Sequence, residues 1–328
     1  MKSIIGIIKK LQKPLDNEHT YYLVIIGVMT CILGVFLFAS QQTQSKIDRI
    51  RNDESMYRRE ILDSVIKAKI EEAAPNLFAE SILIYDLENE NIVYEKEAKK
   101  VRGLASLTKL MTARIAGELF SPEAVFTIND NDMETGNTKG LQVGDTWPIK
   151  YWLPIMLVTS SNEVSAMFER YDGTFLEHMN KYAKSLGMND TIFNNSTGLD
   201  INGGLSSKGT AYDMMLLVRD IINHSNDGVP FNGYAGSSVV TFSRFNDSKP
   251  FVANHTHEGL SKLHRVLLSK TGYTQKAGGA MAFVTRPISG YTFIVIILQS
   301  TFSGRFDDVA RINDIIIKYT ELFASYDL

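Results

Sequence analysis

The chain has 328 residues, with 34 Lys and Arg against 37 Asp and Glu and a formal net charge of −3. That length suggests one large domain or two ordinary ones with extra segments, and 44% hydrophobic with 22% charged content is ordinary for a globular protein. The charge balance carries no sign of a nucleic-acid partner, which would call for an excess of basic residues or a basic patch.

The first distinctive element is Tyr21–Ser40, YYLVIIGVMTCILGVFLFAS, which contains no charged residue. About 20 apolar residues at the helical rise span the hydrocarbon core of a bilayer. Strongly polar flanks argue against a buried helix of a soluble domain. A cleaved signal peptide would be shorter and would end on a small-x-small site, which does not follow Phe38-Ala39-Ser40. Cys31, the only cysteine, lies mid-span behind Thr30, where lipidation is not expected. The segment is therefore predicted to be an uncleaved anchor in the lipid bilayer. Lys9, Lys10 and Lys13 before it and Lys46, Arg49 and Arg51 after it leave the positive-inside rule close to a tie. A body without thiols suits an oxidising compartment but does not require one.

Residues 41–74 are charged and free of glycine, with Ile47, Ile50, Tyr57, Ile61 and Ile70 in a thin apolar stripe. This predicts a helical stalk, either solvated alone or pairing weakly with a second copy. Pro75 ends it, and the folded domain is expected over 75–328. ESILIYDLENENIVYEKEA reads as two strands around a turn at Glu88–Asn91. Helices are expected at Ser106–Leu119, Trp152–Val158, Asn162–Tyr171, Thr174–Leu186 (stopped by Gly187) and within GTAYDMMLLVRDIIN. GGAMAFVT and YTFIVIILQS read as a hairpin around Arg286–Gly290, and a last helix is expected over Arg305–Phe323. Strands at both ends with helices between imply a sheet built from both termini and a helical insertion.

ASLTKLMTA sets Ser106 three residues before Lys109 at the start of a helix. Residues i and i+3 share a helix face, so the lysine can reach the hydroxyl. A serine attacks only when a base takes its proton, and a lysine is a base only when burial or a second cation keeps it neutral. Alone the pair means little, because Ser64-Val-Ile-Lys67 in the stalk has the same spacing. Two further stretches supply what it lacks. Ser160-Ser161-Asn162 offers a hydroxyl and an amide at a helix–helix junction. Lys270-Thr271-Gly272 heads a strand with a cation, a carboxylate donor and a residue without a side chain, beside which an extended substrate can pair.

Ser-x-x-Lys, Ser-x-Asn and Lys-Thr-Gly in this order are the signature of penicillin-binding proteins and serine β-lactamases. The surrounding words, GLQVGDTWPIKYWLPIMLVTSSNEVSAM, LGMNDTIFNNSTGLD, AYDMMLLVRDII and SKTGYTQKAGGAMA, resemble the D-alanyl-D-alanine carboxypeptidases of the S11 type, the low-molecular-weight penicillin-binding proteins. The resemblance covers Asn76 to the C-terminus. It implies an α/β (α+β) fold of the β-lactamase/transpeptidase kind: a mainly antiparallel five-stranded sheet flanked by helices, plus an all-helical subdomain, preceded here by one transmembrane helix. Ser106 would attack the bond between the last two D-alanines of a peptidoglycan stem peptide, and Lys109 would accept its proton. Ser160 would relay a proton to the departing D-alanine, while Asn162 would hold Lys109 and the substrate backbone. Lys270 would be the second cation that keeps Lys109 neutral, and Thr271 would bind the terminal carboxylate, with Gly272 beside it. The backbone N–H groups of Ser106 and Tyr273 would form the oxyanion hole, and Arg305 would also grip the carboxylate. β-Lactams would acylate Ser106. No metal or cofactor is implied. The substrate implies a bacterial cytoplasmic membrane, with residues 1–20 cytoplasmic and the domain outside.

The sequence also departs from the family. The middle of Ser160-Ser161-Asn162 is often glycine there, and a left-handed Ser161 would cost roughly 1–2 kcal/mol. The turn before Asn91 lacks the usual Thr-Gly. Many relatives add a β-rich domain and an amphipathic C-terminal helix, and the N-terminal anchor is expected to replace that tether. A β-lactamase is disfavoured because no Glu-x-x-Leu-Asn loop lies between Asn162 and Lys270. A tethered wall-peptide or β-lactam sensor that acylates without turnover is the non-enzymatic alternative. His255, His257 and His264 with Glu258 offer a metal reading against the ordinary one of solvated loop histidines. NNSTGLD reads as a turn at Asn195 and Gly198 with no catalytic role.

Overall fold

The computed structural model describes residues 17–325 except 135, 137–139, 202–203, 205–206, 225–238, 244–249, 258 and 264, and gives backbone alone for 17–21, 24, 25, 28, 31 and 32. Two compact units divide the chain, residues 1–59 and 60–328. Helix α1 (Asn17–Ala73) has residues in both.

In the first unit, the described side chains up to Tyr57 are exposed, including Leu33, Val35, Phe36, Leu37 and Phe38 of the long apolar run. Ile47, Ile50 and Tyr57 are exposed as well. Among the described residues no helix is long and apolar enough to cross a membrane.

The second unit opens with the last residues of α1. Leu62, Ile66 and Ile70, spaced four apart, form one buried stripe, whereas Ile61 on the next face is exposed. The stripe read from the sequence therefore divides, and only Ile70 belongs to a core. A hairpin follows, β1 (Ser81–Asp86) and β2 (Asn91–Lys96), then the short β3 (Arg102–Gly103). Helix α2 (Thr108–Leu119) leads into β4 (Val125–Thr127), the short α3 (Asp130–Met133) and β5 (Thr146–Pro148). The helical layer continues with α4 (Ile149–Thr159), α5 (Asn162–Tyr171) and α6 (Phe175–Ser185), then β6 (Lys208–Gly209) and α7 (Ala211–Asn223). The chain returns through β7 (Val239–Phe242) and β8 (Phe251–Asn254) to β9 (Val266–Thr274), β10 (Gly278–Ile288), β11 (Tyr291–Ser300) and α8 (Gly304–Ser325). β10 runs through Ile288, so the turn expected at Arg286–Gly290 shrinks to Ser289-Gly290.

The main sheet is antiparallel, with order β2-β1-β11-β10-β9. Its central strands are apolar on both faces because both faces are covered. Ile82, Ile84, Met281, Phe283, Phe293, Val295 and Ile297 join Leu62, Ile66, Ile70 and the α8 residues Val309, Ile312 and Ile316 in one core. The alternate residues Leu83, Tyr85, Ala282, Val284, Ile294 and Ile296 join α2 and α4–α7 in the other. The period of two in a strand sorts one continuous apolar run into two cores. β9 is an edge strand, and it carries Lys270-Thr271-Gly272.

Candidate active site

Ser106 lies in the 3-10 turn Ala105–Leu107 that runs into α2, which puts Lys109 on the same face one turn later. Lys109 is fully buried, with Nζ 3.1 Å from Ser106 Oγ, 2.8 Å from Asn162 Oδ1 and 2.6 Å from the Thr197 carbonyl oxygen. The last two oxygens can only accept. A neutral amine has two N–H groups and one lone pair, so Asn162 and Thr197 take the hydrogens and leave the lone pair for the Ser106 hydroxyl. Burial lowers the Lys109 pKa to about 7, against the opposing charge of Glu163.

Desolvation is the largest cause that lowers the Lys109 pKa, and the two buried amines also repel one another. Lys270 is itself fully buried and pushed well below the usual lysine range, by burial first and then by Lys109 and Arg305. Lys270 Nζ donates to Ser160 Oγ at 2.7 Å and to the Thr271 carbonyl at 2.8 Å.

The strained residue of the second motif is not Ser161. Ser160 closes α4 in the left-handed region, with φ 57°, while Ser161 is extended (φ −60°, ψ 123°). Its hydroxyl accepts from Val164 N and caps α5. A helix end that must turn at once into another helix needs a left-handed residue, and here a serine takes that position beside Lys270. Ser161 Oγ also donates to Glu163 Oε2 at 2.6 Å.

Gly272 has a sharper reason than an open strand edge. A Cβ there would stand 3.1 Å from Ser106 N, 3.2 Å from Ala105 Cβ and 3.2 Å from Leu104 O. Its absence lets β9 lie against the backbone of the nucleophile turn. Thr271 Oγ1 is hydrogen-bonded to Thr256 Oγ1 at 2.6 Å. Tyr273 is exposed and meets Phe302 edge-on at 4.9 Å. Arg305 is buried, its guanidinium 4.5 Å from the Phe302 and Phe306 ring centres and 5.7 Å from that of Tyr273.

Two sequence readings change. The Asn195–Gly198 turn is a turn, with Gly198 at φ 79° and its N–H donating to Asn195 Oδ1. It also serves the site, since Thr197 supplies a carbonyl to Lys109 and Ser196 one to Thr112 Oγ1. His257 is buried and His255 half-buried, and both rings are hydrogen-bonded to Ser269. His255 Nε2 meets the Ser269 carbonyl at 2.9 Å, and His257 Nδ1 meets Ser269 Oγ at 2.8 Å. Burial, then His255 and Arg305, hold the His257 pKa down to about 3. Among the described residues no group of His, Cys, Asp and Glu could hold a metal ion, and Glu258 and His264 lie outside those residues. Ser64 is exposed, and its hydroxyl donates to the Glu60 carbonyl.

Sequence reasoning missed Thr197, Glu163 and Thr256, and it singled out the histidine pair without its contacts to Ser269. A backbone carbonyl leaves no trace in residue type. Glu163 looks like any acid in the first turn of a helix.

A match to the family described as D-alanyl-D-alanine carboxypeptidase, peptidase S11, covers residues 68–301. The chain belongs to this family of serine peptidases. Among carboxypeptidase-family relatives, D-alanyl-D-alanine carboxypeptidase DacF of Bacillus subtilis is 26% identical over 258 residues, 76% of this chain and 64% of that protein. The chain thus spans somewhat less than two thirds of that relative. The D-alanyl-D-alanine endopeptidase of Escherichia coli is 27% identical over 250 residues, 73% of this chain and 77% of that one. Penicillin-binding protein D2 of Listeria monocytogenes, solved with cefotaxime bound, superposes with a TM-score of 0.64 at 27% identity, covering 73% of this chain and 97% of that one. The Streptomyces K15 DD-transpeptidase, 21% identical with a TM-score of 0.66 over 74% and 98% of the two chains, shares the fold.

Proposed function

We propose that the chain is a membrane-anchored serine D-alanyl-D-alanine carboxypeptidase that removes the terminal D-alanine of peptidoglycan stem peptides and is acylated by β-lactams. The observation that carries this reading is the buried Lys109 amine, held by two acceptor oxygens within hydrogen-bond distance of Ser106 Oγ.

Ser106 Oγ attacks the carbonyl carbon of the penultimate D-alanine as its proton passes to Lys109 Nζ. The oxyanion forms at the Ser106 and Tyr273 backbone N–H groups, where developing charge is stabilised without reorganisation. Thr271 and Arg305 hold the terminal carboxylate. Ser160, in line with Lys270 through a 2.7 Å hydrogen bond, delivers its proton to the departing D-alanine nitrogen and takes up the one that Lys109 accepted, which returns Lys109 to the neutral amine. Water then hydrolyses the ester, with Lys109 as base.

The bilayer anchor is residues 21–40, with the N-terminus cytoplasmic and the 60–328 unit outside. It rests on the uncharged run and on the exposed apolar side chains along it. A protease-protection assay that finds the 60–328 unit on the cytoplasmic side overturns this orientation.

The decisive experiment incubates the full chain in detergent with a pentapeptide ending in D-Ala-D-Ala and measures free D-alanine, beside Ser106→Ala. Release by the wild type and none by the variant is expected. A wild type that binds penicillin but releases nothing supports the sensor reading instead, and rapid penicillin hydrolysis supports a β-lactamase. A cross-linked stem dimer in a parallel tube reads endopeptidase cleavage, the activity named for the Escherichia coli relative.

A further inference from the structure

Two parts of the site come from distant stretches: Ser160 from the end of α4 and Lys270-Thr271 from β9. Ser160 and Lys270 meet through their side-chain tips, a contact between rotatable groups that leaves the spacing of their backbones to be set from elsewhere. The tripeptide His255-Thr256-His257, just after β8, bonds to both. Thr256 N–H donates to the carbonyl of Val158, two residues before Ser160, at 3.0 Å. The Thr256 hydroxyl meets that of Thr271 at 2.6 Å. His255 Nε2 meets the carbonyl of Ser269, the residue before Lys270, and His257 Nδ1 meets the Ser269 hydroxyl. The His257 ring is stacked on Phe306 at 5.3 Å, next to Arg305.

The hydrogen bonds also define the state of His255. Its Nδ1 accepts from His257 N–H at 2.9 Å, so that nitrogen carries no proton. The Ser269 carbonyl can only accept, so Nε2 carries the hydrogen. The ring is the neutral Nε2–H tautomer, and it links its own backbone segment to β9.

We propose that His255-Thr256-His257 is a clasp that sets the distance between the Ser160 turn and the Lys270-Thr271 strand, with neutral His255 as a positioning residue for acylation. The inference rests on the serine peptidase reading above. Ser269 and Lys270 are fully buried, so a shift at the Ser269 carbonyl is passed to the Lys270 amine and the Thr271 hydroxyl. Misplacement by about 1 Å is enough to cost on the order of a hundredfold in rate.

The test measures the second-order rate of acylation by a fluorescent penicillin, with the melting temperature, for the full-length wild type, His255→Ala and His255→Gln. Loss of the ring should slow acylation about tenfold or more. His255→Gln, whose amide reaches the Ser269 carbonyl, should restore it to within about threefold of wild type. Should His255→Ala fail to fold, His255→Asn, too short to reach Ser269, takes its place. Alanine at the wild-type rate, glutamine no faster than alanine, or losses matching the unfolded fraction alone overturn the clasp. A wild type that takes no label overturns the enzyme reading and the clasp with it. A labelled wild type with unaffected variants overturns the clasp alone.

Discussion

Lys109 Nζ donates to the Thr197 carbonyl over 2.6 Å, its shortest contact and one from a loop 88 residues away in sequence. That contact and the one to Asn162 hold the amine beside Ser106 Oγ, and burial, which lowers its pKa, makes it a base.

Arginine at position 109 should therefore not substitute. Its guanidinium cannot lose a proton at any working pH. Lys109→Arg is expected to lower the rate of penicillin acylation by about 10²–10⁴-fold, the usual contribution of a general base. Stopped-flow labelling of folded variant measures it, and near-wild-type labelling would remove Lys109 from the base role.

The acylation rate should depend on pH through the same group. Lys109 acts when neutral, and its pKa is lowered to about 7 by burial. The second-order rate is thus expected to rise with pH, levelling above about 7. The Glu163 charge raises that pKa, so Glu163→Gln should move the rising limb to lower pH while leaving the Ser161 contact an acceptor. A limb that moves upward contradicts the assignment.

Gly272→Ala places a methyl 3.1 Å from Ser106 N, tighter than a relaxed contact allows. β9 and the nucleophile turn must separate slightly. Acylation should fall on the order of a hundredfold with only a modest change in melting temperature, read by the same labelling assay and by calorimetry.

Gly198→Ala is expected to act on folding instead. The new methyl would meet the Ala105 carbonyl oxygen at 1.9 Å, and the backbone is left-handed at φ 79°. Clash and strain together should cost about 3 kcal/mol or more. Chemical denaturation measures it, and a wild-type midpoint would show that the turn yields freely.

The folded unit should need the end of α1. A chain starting at Pro75 lacks Leu62, Ile66 and Ile70, all at most 1% exposed. Each such side chain contributes about 2–5 kcal/mol. Its melting temperature should lie on the order of 10 °C or more below that of a chain starting at Glu60. Equal melting temperatures would mean the three residues are dispensable. Ser64→Ala, in the same segment but facing outward, should leave both stability and D-alanine release unchanged.

What was readable in the residues follows from local rules. β11 was recovered as Tyr291–Ser300 and α5 as Asn162–Tyr171 because a long apolar run and a Ser-capped helix declare themselves through period and end chemistry. The motifs Ser106…Lys109, Ser160…Asn162 and Lys270…Gly272 are legible because each offers side chains whose chemistry is set by residue type, and the fold brings Ser106, Lys109 and Asn162 into contact, and Ser160 with Lys270. Boundaries slipped where tertiary pairing decides them, as at β10, which continues through Ile288 against Tyr291 of β11.

The remainder belongs to the folded chain. Nothing local distinguishes Ser160 from Ser161 as the left-handed residue; the need to turn α4 straight into α5 does. Nothing in NHTHEGL says that His257 is buried against Phe306 and Ser269 rather than solvated. The Thr197 carbonyl is present in any sequence, and only the approach of its loop to α2 makes it a partner of Lys109. Residue types set which groups could react. Burial and long-range approach, which depend on every other part of the chain, set which of them are neutral, which are held, and where they point.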